Sequence, residues 1–152
     1  MSNGKITLLA LSSGGGHWVQ LLRLRPAFEG CDVTFATVSE SYRVDVGDAH
    51  FHVVPDGNIW SKMDLLRSAI GVWWLLVRLR PDVVVTTGAA PGYFAVRFGK
   101  WLGARSIWVD SVANADELSR SGRNAGPFAD LWLTQWPELA CESGPKYLGN
   151  VL

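Results

Sequence analysis

A run of three glycines followed by a histidine is the part of this sequence with the clearest chemical potential. Ser13, Gly14, Gly15 and Gly16 precede His17, directly after an apolar stretch. Glycines let the backbone turn sharply and approach a ligand closely, and a helix starting here would direct free amide groups at a phosphate. His17 could then donate to a phosphate oxygen or accept a proton from a hydroxyl nucleophile. The segment predicts a phosphate-binding loop with an acid/base histidine; the simpler alternatives are a tight turn without a ligand and a histidine that only caps or packs.

Two further loops carry small or polar residues that could contact the same ligand. One opens a predicted helix with small residues, which leaves backbone amide groups accessible. The other places a carboxylate and a hydroxyl after a strand, where they could bind a hydroxyl-rich ligand. A plain loop and ordinary solvated polarity are the alternatives. The residues assigned to ligand binding in these two loops are Gly88, Ala89, Ala90, Pro91, Gly92, Asp110 and Ser111.

Standard nucleotide and metal motifs are not matched by the sequence. A dinucleotide fingerprint needs a third glycine at position 19, which is Val19, and a P-loop needs Ser or Thr at position 101, which is Trp101. His50 and His52 share one face of a predicted strand, but no carboxylate or cysteine motif accompanies them. We therefore predict no metal site and expect no cofactor.

The elements that must position these loops alternate along the chain. Apolar runs typical of strands lie at residues 6–11, 33–37, 51–54, 83–86, 107–109 and 131–134. Helical segments lie at residues 18–28, 62–80 and 92–102. Nearly continuous apolar strands separated by helices predict an α/β fold with a Rossmann-like, doubly wound parallel sheet. Ligands bind beyond the carboxyl ends of the strands in such sheets, which is where the three loops lie.

Length and composition limit the class of protein. With 152 residues, 48% of them hydrophobic and 18% charged, the chain has enough apolar surface for one folded domain, and we expect residues 1–152 to form that domain and the whole protein. Fourteen basic and fourteen acidic residues balance, so no global positive field points to a nucleic-acid partner. Cys31 and Cys141 are far apart, which excludes a zinc-site spacing or a dense disulfide framework and favours reducing cytosol.

Residues 64–80, within the helix predicted over residues 62–80, combine tryptophans with arginines. No apolar run of about 18 residues is present, so we predict no membrane-spanning segment. Tryptophan beside arginine instead favours the headgroup boundary, where amphipathic rings and cations meet anionic lipid. A buried crossover helix is the alternative. The residues predicted to contact a membrane are Arg67, Trp73, Trp74, Arg78 and Arg80.

Five blocks of sequence carry a family resemblance. They are, in order, SSGGGHW, RPDVVVTTGAAPG, WVDSVANADELSRSG, ADLWLTQWPEL and KYLGNVL, and they extend over nearly the whole chain. Together they resemble the Alg14-like family of oligosaccharide biosynthesis proteins, which includes bacterial PssD-type glycosyltransferase subunits.

The resemblance implies the N-terminal, acceptor-binding half of a GT-B glycosyltransferase, similar to that half of MurG. The donor-binding half would be a separate Alg13-like (PssE-type) subunit, without which this chain is expected to be inactive. Together they would transfer a sugar, of N-acetylglucosaminyl or glucuronosyl type, from a UDP-sugar to a polyprenyl-diphosphate-linked acceptor with inversion. The glycine loop would face the acceptor diphosphate, and His17 would take the hydroxyl proton. The chain would lie peripherally on the cytoplasmic face of a membrane.

A departure from the family pattern concerns the acceptor, and two other functions stay open. Asp110 and Ser111 stand where many relatives carry Glu before Ser, and Val112, Ala113 and Asn114 replace an aromatic residue and an arginine, so contacts to the acceptor could differ. A Rossmann-like nucleotide or phospholigand sensor is one alternative, since an acid after the second predicted strand (Glu40) could bind a ribose. A non-catalytic membrane anchor for a partner enzyme is another.

Overall fold

The computed structural model describes residues 4–151, whose seven parallel strands form one sheet. The strands are β1 Thr7–Leu11, β2 Asp32–Thr37, β3 His50–Val53, β4 Val83–Thr86, β5 Arg105–Val109, β6 Leu131–Thr134 and β7 Lys146–Tyr147. Their spatial order is β3-β2-β1-β4-β5-β6-β7. The direction of winding therefore reverses between β1 and β4, and a doubly wound sheet opens its ligand-binding crevice at such a switch point.

Four α-helices connect the strands in the described part of the chain. They are α1 Gly16–Arg23, α2 Lys62–Leu79, α3 Ala89–Trp101 and α4 Arg120–Ala125. Short 3₁₀ helices occupy Arg25–Phe28, Glu40–Asp45, Gly126–Phe128 and Pro137–Leu139. Serine side chains cap two of the α-helices: the Ser61 hydroxyl accepts from the Asp64 amide before α2, and the Ser119 hydroxyl accepts from the Gly122 amide at the start of α4.

Helices cover both faces of the sheet because its strands are apolar on both sides. One core lies between the sheet and helices α2 and α3, and it includes Leu9, Leu11, Val72, Leu76, Val84 and Ala95. A second lies beneath α1 and includes Leu8, Ala10, Trp18, Leu21, Phe35 and Val85. Alternate residues of β1 thus pack into different cores, because successive side chains of a strand point to opposite faces of the sheet.

The predicted α/β fold with a doubly wound parallel sheet is confirmed, and the first six strands begin and end within two residues of their predicted bounds. The first helix, predicted over residues 18–28, is wrong at both ends. It starts at Gly16 and ends at Arg23, because Pro26 has no amide proton to continue it and the chain turns into a 3₁₀ helix. The third helix, predicted over residues 92–102, begins three residues earlier, at Ala89.

The C-terminus of α2 is closed by a residue in a left-handed conformation. Arg80 has φ 46° and ψ 55°, and its amide donates to the Leu76 carbonyl at 2.8 Å. Glycine is the usual residue at this position, since a side chain there strains the backbone. Pro81 follows and prevents the helix from continuing.

Candidate functional site

His17 lies at the switch point of the sheet and is bound to the loop after β4. Its Nδ1 is 2.9 Å from the carbonyl oxygen of Thr87, and the Thr87 hydroxyl donates to the carbonyl of His17 at 2.6 Å. A carbonyl oxygen can only accept, so Nδ1 carries the proton. In the neutral imidazole, Nε2 is then the unprotonated acceptor. The half-buried ring is thereby held in the tautomer that a general base needs.

Gly88 leaves the space that the His17 ring occupies. A Cβ on Gly88 would lie 3.0 Å from both Cε1 and Nδ1 of His17, and the φ of 128° at Gly88 is itself one that side chains rarely adopt. Ala89, the next residue, has φ 66°, which is strained for a residue with a Cβ. The β4–α3 loop is therefore shaped to bring its backbone against His17.

The glycine loop after β1 is also fixed by its backbone. Gly15 has φ 68° and ψ −135°, and its amide donates to the Tyr42 hydroxyl at 2.9 Å. A Cβ on Gly14 would lie 2.8 Å from the same hydroxyl oxygen, so only glycine fits beside Tyr42. Around Gly16 the space is open, and Ser13 lies buried at the base of the loop. The loop thus exposes backbone rather than side chains.

Two helix N-termini point into the crevice without side-chain caps. Within residues 4–151, no side chain caps α1 after Gly15 or α3 after Gly88, whereas serines cap α2 and α4. Uncapped amides at the start of a helix, together with its dipole, favour an anion. Loops beside His17 therefore offer two sets of backbone donors to a negatively charged ligand.

The other residues predicted in the β4–α3 loop pack inside the protein. Ala90, Pro91 and Gly92 are buried, and a Cβ on Gly92 would lie 2.2 Å from the Thr86 hydroxyl oxygen. Gly92 thus allows α3 to pack closely on β4. Gly88 borders His17, and Ala89 follows it. The next three residues, Ala90, Pro91 and Gly92, are buried in the first turn of α3 and support this loop.

Asp110 and Ser111, assigned to ligand contact from the sequence, are instead buried and hydrogen-bonded within the protein. The Asp110 carboxylate accepts from the Trp108 indole at 3.1 Å and from the amide of Ser119 at 2.9 Å, and it also accepts from the Ser119 hydroxyl. Ser111 is held by Gln20 of α1, whose amide nitrogen donates to the Ser111 hydroxyl at 3.1 Å. Their geometry makes them supports of the β5 loop.

Sequence reasoning missed a buried amide network that ties α1 to the β5 and β6 loops. Gln135 donates to the Gln20 side-chain oxygen at 2.6 Å and to the Asp110 carbonyl at 2.9 Å. The Val112 amide also donates to Gln20, at 3.1 Å. Gln20 is buried, although its neighbours three residues away on α1 are His17 and Arg23, so the pattern of apolar residues carries no signal of this network.

Glu40 and the two histidines of β3 lie next to positively charged residues. Glu40 forms an ion pair with Arg43, and this hydrogen bond lowers the pKa of the carboxyl. Burial lowers the pKa of His52, and the positive charges of Arg78, His50 and Arg43 lower it further. A surrounding of cations disfavours a metal ion. Among the described residues, no group of three or more His, Cys, Asp or Glu side chains is placed to hold one.

Helix α2 carries an exposed apolar stripe. Its members, each between 49% and 61% exposed, are Met63, Leu66, Ile70 and Trp74. They recur every three or four residues, which puts them on one face of the helix, opposite the buried Val72 and Leu76. Arg67 and Arg78 flank the stripe and are exposed.

Trp73, predicted to contact a membrane, instead packs inward. Its ring meets the Phe98 ring edge-on, with centroids 5.5 Å apart, and it is only partly exposed. Trp74 points outward with 61% of its surface exposed. No helix in the described range 4–151 is both long and apolar enough to span a bilayer.

Comparison of the sequence with known proteins gives a family match. A sequence profile described as "Oligosaccharide biosynthesis protein Alg14 like" matches residues 49–151. The UDP-N-acetylglucosamine transferase subunit alg14 of Schizosaccharomyces pombe is 35% identical over 98 residues, which covers 60% of this chain and 45% of that protein. The chain thus spans less than half the length of this curated relative.

Solved structures share the fold at low sequence identity. MurG from Acinetobacter baumannii superposes with a TM-score of 0.75 and 12% identity, over 93% of this chain and 45% of MurG. UDP-N-acetylglucosamine 2-epimerase from Rickettsia bellii superposes with a TM-score of 0.71 and 11% identity, over 97% of this chain and 45% of the epimerase. The fold is therefore that of one Rossmann-like half of these proteins, the N-terminal half in MurG.

Proposed function

Because the chain belongs to the Alg14-like family of oligosaccharide biosynthesis proteins, we propose that it is the acceptor-side subunit of a two-chain, inverting glycosyltransferase. One observation carries the proposal. His17, held by Thr87 in the tautomer with a free Nε2, lies between two loops whose helix N-termini lack side-chain caps. This arrangement suits a reaction in which a hydroxyl must lose a proton next to a bound phosphate.

The proposed reaction follows from these roles. An acceptor hydroxyl attacks the anomeric carbon of a nucleotide sugar, and Nε2 of His17 takes the hydroxyl proton as the new C–O bond forms. The bond to the nucleoside diphosphate breaks on the opposite face, so the configuration inverts and the diphosphate leaves with the bonding electrons. Backbone amides at Gly16 and Ala89, at the starts of α1 and α3, would bind the diphosphate that links the acceptor sugar to its lipid. His17 is the proposed catalytic residue.

A second subunit is needed for the donor. The chain has one Rossmann-like half, and its match to MurG covers 45% of that chain. We propose that an Alg13-like (PssE-type) partner binds the UDP-sugar and that this chain is inactive alone. The name of the fission-yeast relative favours an N-acetylglucosaminyl group as the sugar, with a glucuronosyl group as the alternative.

Membrane association would come from the exposed stripe on α2. Met63, Leu66, Ile70 and Trp74 extend over about 16 Å of helix. Apolar side chains can enter the headgroup boundary while Arg67 and Arg78 meet anionic lipid. This would hold the crevice next to a lipid-linked polyprenyl-diphosphate acceptor, on the cytoplasmic face of the membrane.

A transfer assay with radiolabelled UDP-N-acetylglucosamine, UDP-glucuronic acid and a lipid extract tests the proposal. We expect product only when this chain and its Alg13-like partner are mixed. His17→Ala should lower kcat by about 100- to 10,000-fold, whereas His52→Ala, which changes a histidine outside the crevice, should retain activity. Product from the partner alone would instead identify this chain as an anchor, and equal activity of the two histidine variants would exclude His17 as the base.

A further inference from the structure

A cavity of about 280 Å³ lies where the first turns of α2, α3 and α4 converge. Its apolar walls are formed by Ile59, Leu65, Tyr93 and Phe94, and Ala90 also lines it. Arg120, Ser121 and Asn124 of α4 supply a polar side. The volume is at the lower limit of the 300–1,000 Å³ typical of small-molecule sites, so the cavity suits part of a ligand rather than a whole one.

The cavity adjoins the proposed catalytic crevice. Ala90 lines it, and Ala90 is two residues from Gly88, whose Cα faces the His17 ring. The strained Ala89 lies between them. A ligand whose phosphate lies between the uncapped start of α3 and Arg120 can therefore place its next few atoms in the cavity without leaving the protein surface.

The polar side of the cavity carries a cation available to an anion. Arg120 is exposed, and no carboxylate oxygen of residues 4–151 lies within 4 Å of its guanidinium. Arg123, one turn further on, is already paired with Glu117 at 3.2 Å. A free guanidinium beside an apolar wall matches a molecule that joins a phosphate to a hydrocarbon.

The apolar side continues onto the exposed stripe of α2. Ile59 lines the cavity and is 51% exposed, Trp60 is 87% exposed, and Met63 begins the stripe two residues into α2. Soluble monomeric proteins rarely expose such a continuous series of apolar side chains to water. It connects the cavity to the face proposed to meet the membrane.

We propose that this cavity binds the phosphate-proximal isoprene units of a prenyl phosphate, with the phosphate toward Arg120 and the remaining chain leaving along Ile59, Trp60 and α2. The proposal rests on the proposed function in that the prenyl phosphate would be the lipid part of the acceptor. The proposal places the first isoprene units inside a cavity of the protein, a contact distinct from that of the exposed stripe with the membrane surface.

Protection of an engineered thiol tests the site in this chain alone. Ile59→Cys, on a half-exposed loop position, reports on the cavity, and Val44→Cys, 84% exposed on the 3₁₀ helix at Glu40–Asp45, is the matched control. Both are made in a Cys31→Ala, Cys141→Ser background. Maleimide labelling is followed with farnesyl phosphate, farnesol or inorganic phosphate, each below any micelle-forming concentration.

We expect farnesyl phosphate to slow labelling at Ile59→Cys at least tenfold, farnesol to do so only at higher concentration, and inorganic phosphate to have no effect. Labelling at Val44→Cys should not change. Adding Arg120→Gln should remove the advantage of farnesyl phosphate over farnesol. Unchanged labelling at Ile59→Cys, equal protection of both thiols, protection by inorganic phosphate alone, or no effect of Arg120→Gln would each overturn the proposal.

The assay needs neither donor nor partner, so its failure is distinct from failure of the proposed function. Protection without sugar transfer in the reconstituted pair would contradict only the catalytic role. Sugar transfer without protection would contradict only the prenyl site.

Discussion

The Thr87 hydroxyl donates to the carbonyl of His17 at 2.6 Å, while Nδ1 of His17 donates to the carbonyl of Thr87 at 2.9 Å. The two residues are 70 positions apart: His17 lies in the first turn of α1, after β1, and Thr87 follows the adjacent strand β4. This reciprocal contact fixes both the position and the tautomer of the imidazole, so Thr87 is a positioning residue for the proposed base.

Thr87→Val should show that role. Valine keeps the shape but removes the hydroxyl, and we expect the free energy of unfolding to fall by about 1 kcal/mol and sugar transfer by the reconstituted pair to fall about tenfold. Thr87→Ser, which keeps the donor, should retain most of both. Urea unfolding and the transfer assay measure the two effects, and valine and serine variants of equal activity would contradict the positioning role.

Two substitutions in the glycine loop, at Gly15 and Gly16, distinguish the effect of backbone strain on stability from the effect of ligand contact on activity. Gly15→Ala should destabilise the protein by about 1–3 kcal/mol, because φ 68° with ψ −135° is a glycine conformation. Gly16→Ala should instead raise stability by about 0.5–1 kcal/mol, since Gly16 is helical and has open space around it.

The same pair tests phosphate binding at the start of α1. A methyl group at Gly16 would obstruct a ligand that approaches the backbone there, so we expect KM for the acceptor to rise while the stability rises. Acceptor titration in the transfer assay and urea unfolding give the two values. A stabilised Gly16→Ala variant with an unchanged KM would place the phosphate elsewhere.

The left-handed Arg80 predicts a stabilising substitution. Arg80→Gly removes the Cβ that strains φ 46°, and we expect the free energy of unfolding to rise by up to about 1 kcal/mol. Arg78→Gly, in the last turn of the same helix, should lower it by about the same amount because glycine is a poor helix former. Urea unfolding of the chain alone compares them, and a loss of stability in Arg80→Gly would contradict the strain argument.

Much of the fold could be predicted from the sequence because its strands are strongly apolar and separated by glycine or proline. Strand β7 has two residues, and α4 is six residues long and includes a glycine, so neither has enough periodicity to be predicted. The end of α1 depended on a single proline, whose effect on a helix is local and was available from the sequence.

The parts of the site that depend on local backbone conformation could be predicted from the sequence. The parts that depend on tertiary contacts could not. The glycines before His17 indicated an open helix N-terminus, and the structure has one. By contrast, nothing in the pattern pairs Asp110 with Ser119, nine residues away, so a buried support looked like a polar strand end. Thr87 follows the strand predicted over residues 83–86, and nothing in the pattern pairs it with His17, 70 residues away.

Two adjacent tryptophans distinguish membrane contact from packing. Trp74→Glu puts a charge in the exposed stripe, and we expect binding to vesicles of phosphatidylcholine and phosphatidylglycerol to weaken at least tenfold, because burial of a large apolar side chain contributes about 1.5–3 kcal/mol. Trp73→Ala removes the contact with Phe98 and should chiefly lower the free energy of unfolding. Val44→Glu, at an exposed position outside the stripe, is the control for added charge. Cosedimentation and urea unfolding measure the two effects, and since Arg67 and Arg78 add an electrostatic part, binding should also decrease with salt. Vesicle binding by Trp74→Glu at the level of Val44→Glu would exclude α2 as the membrane face.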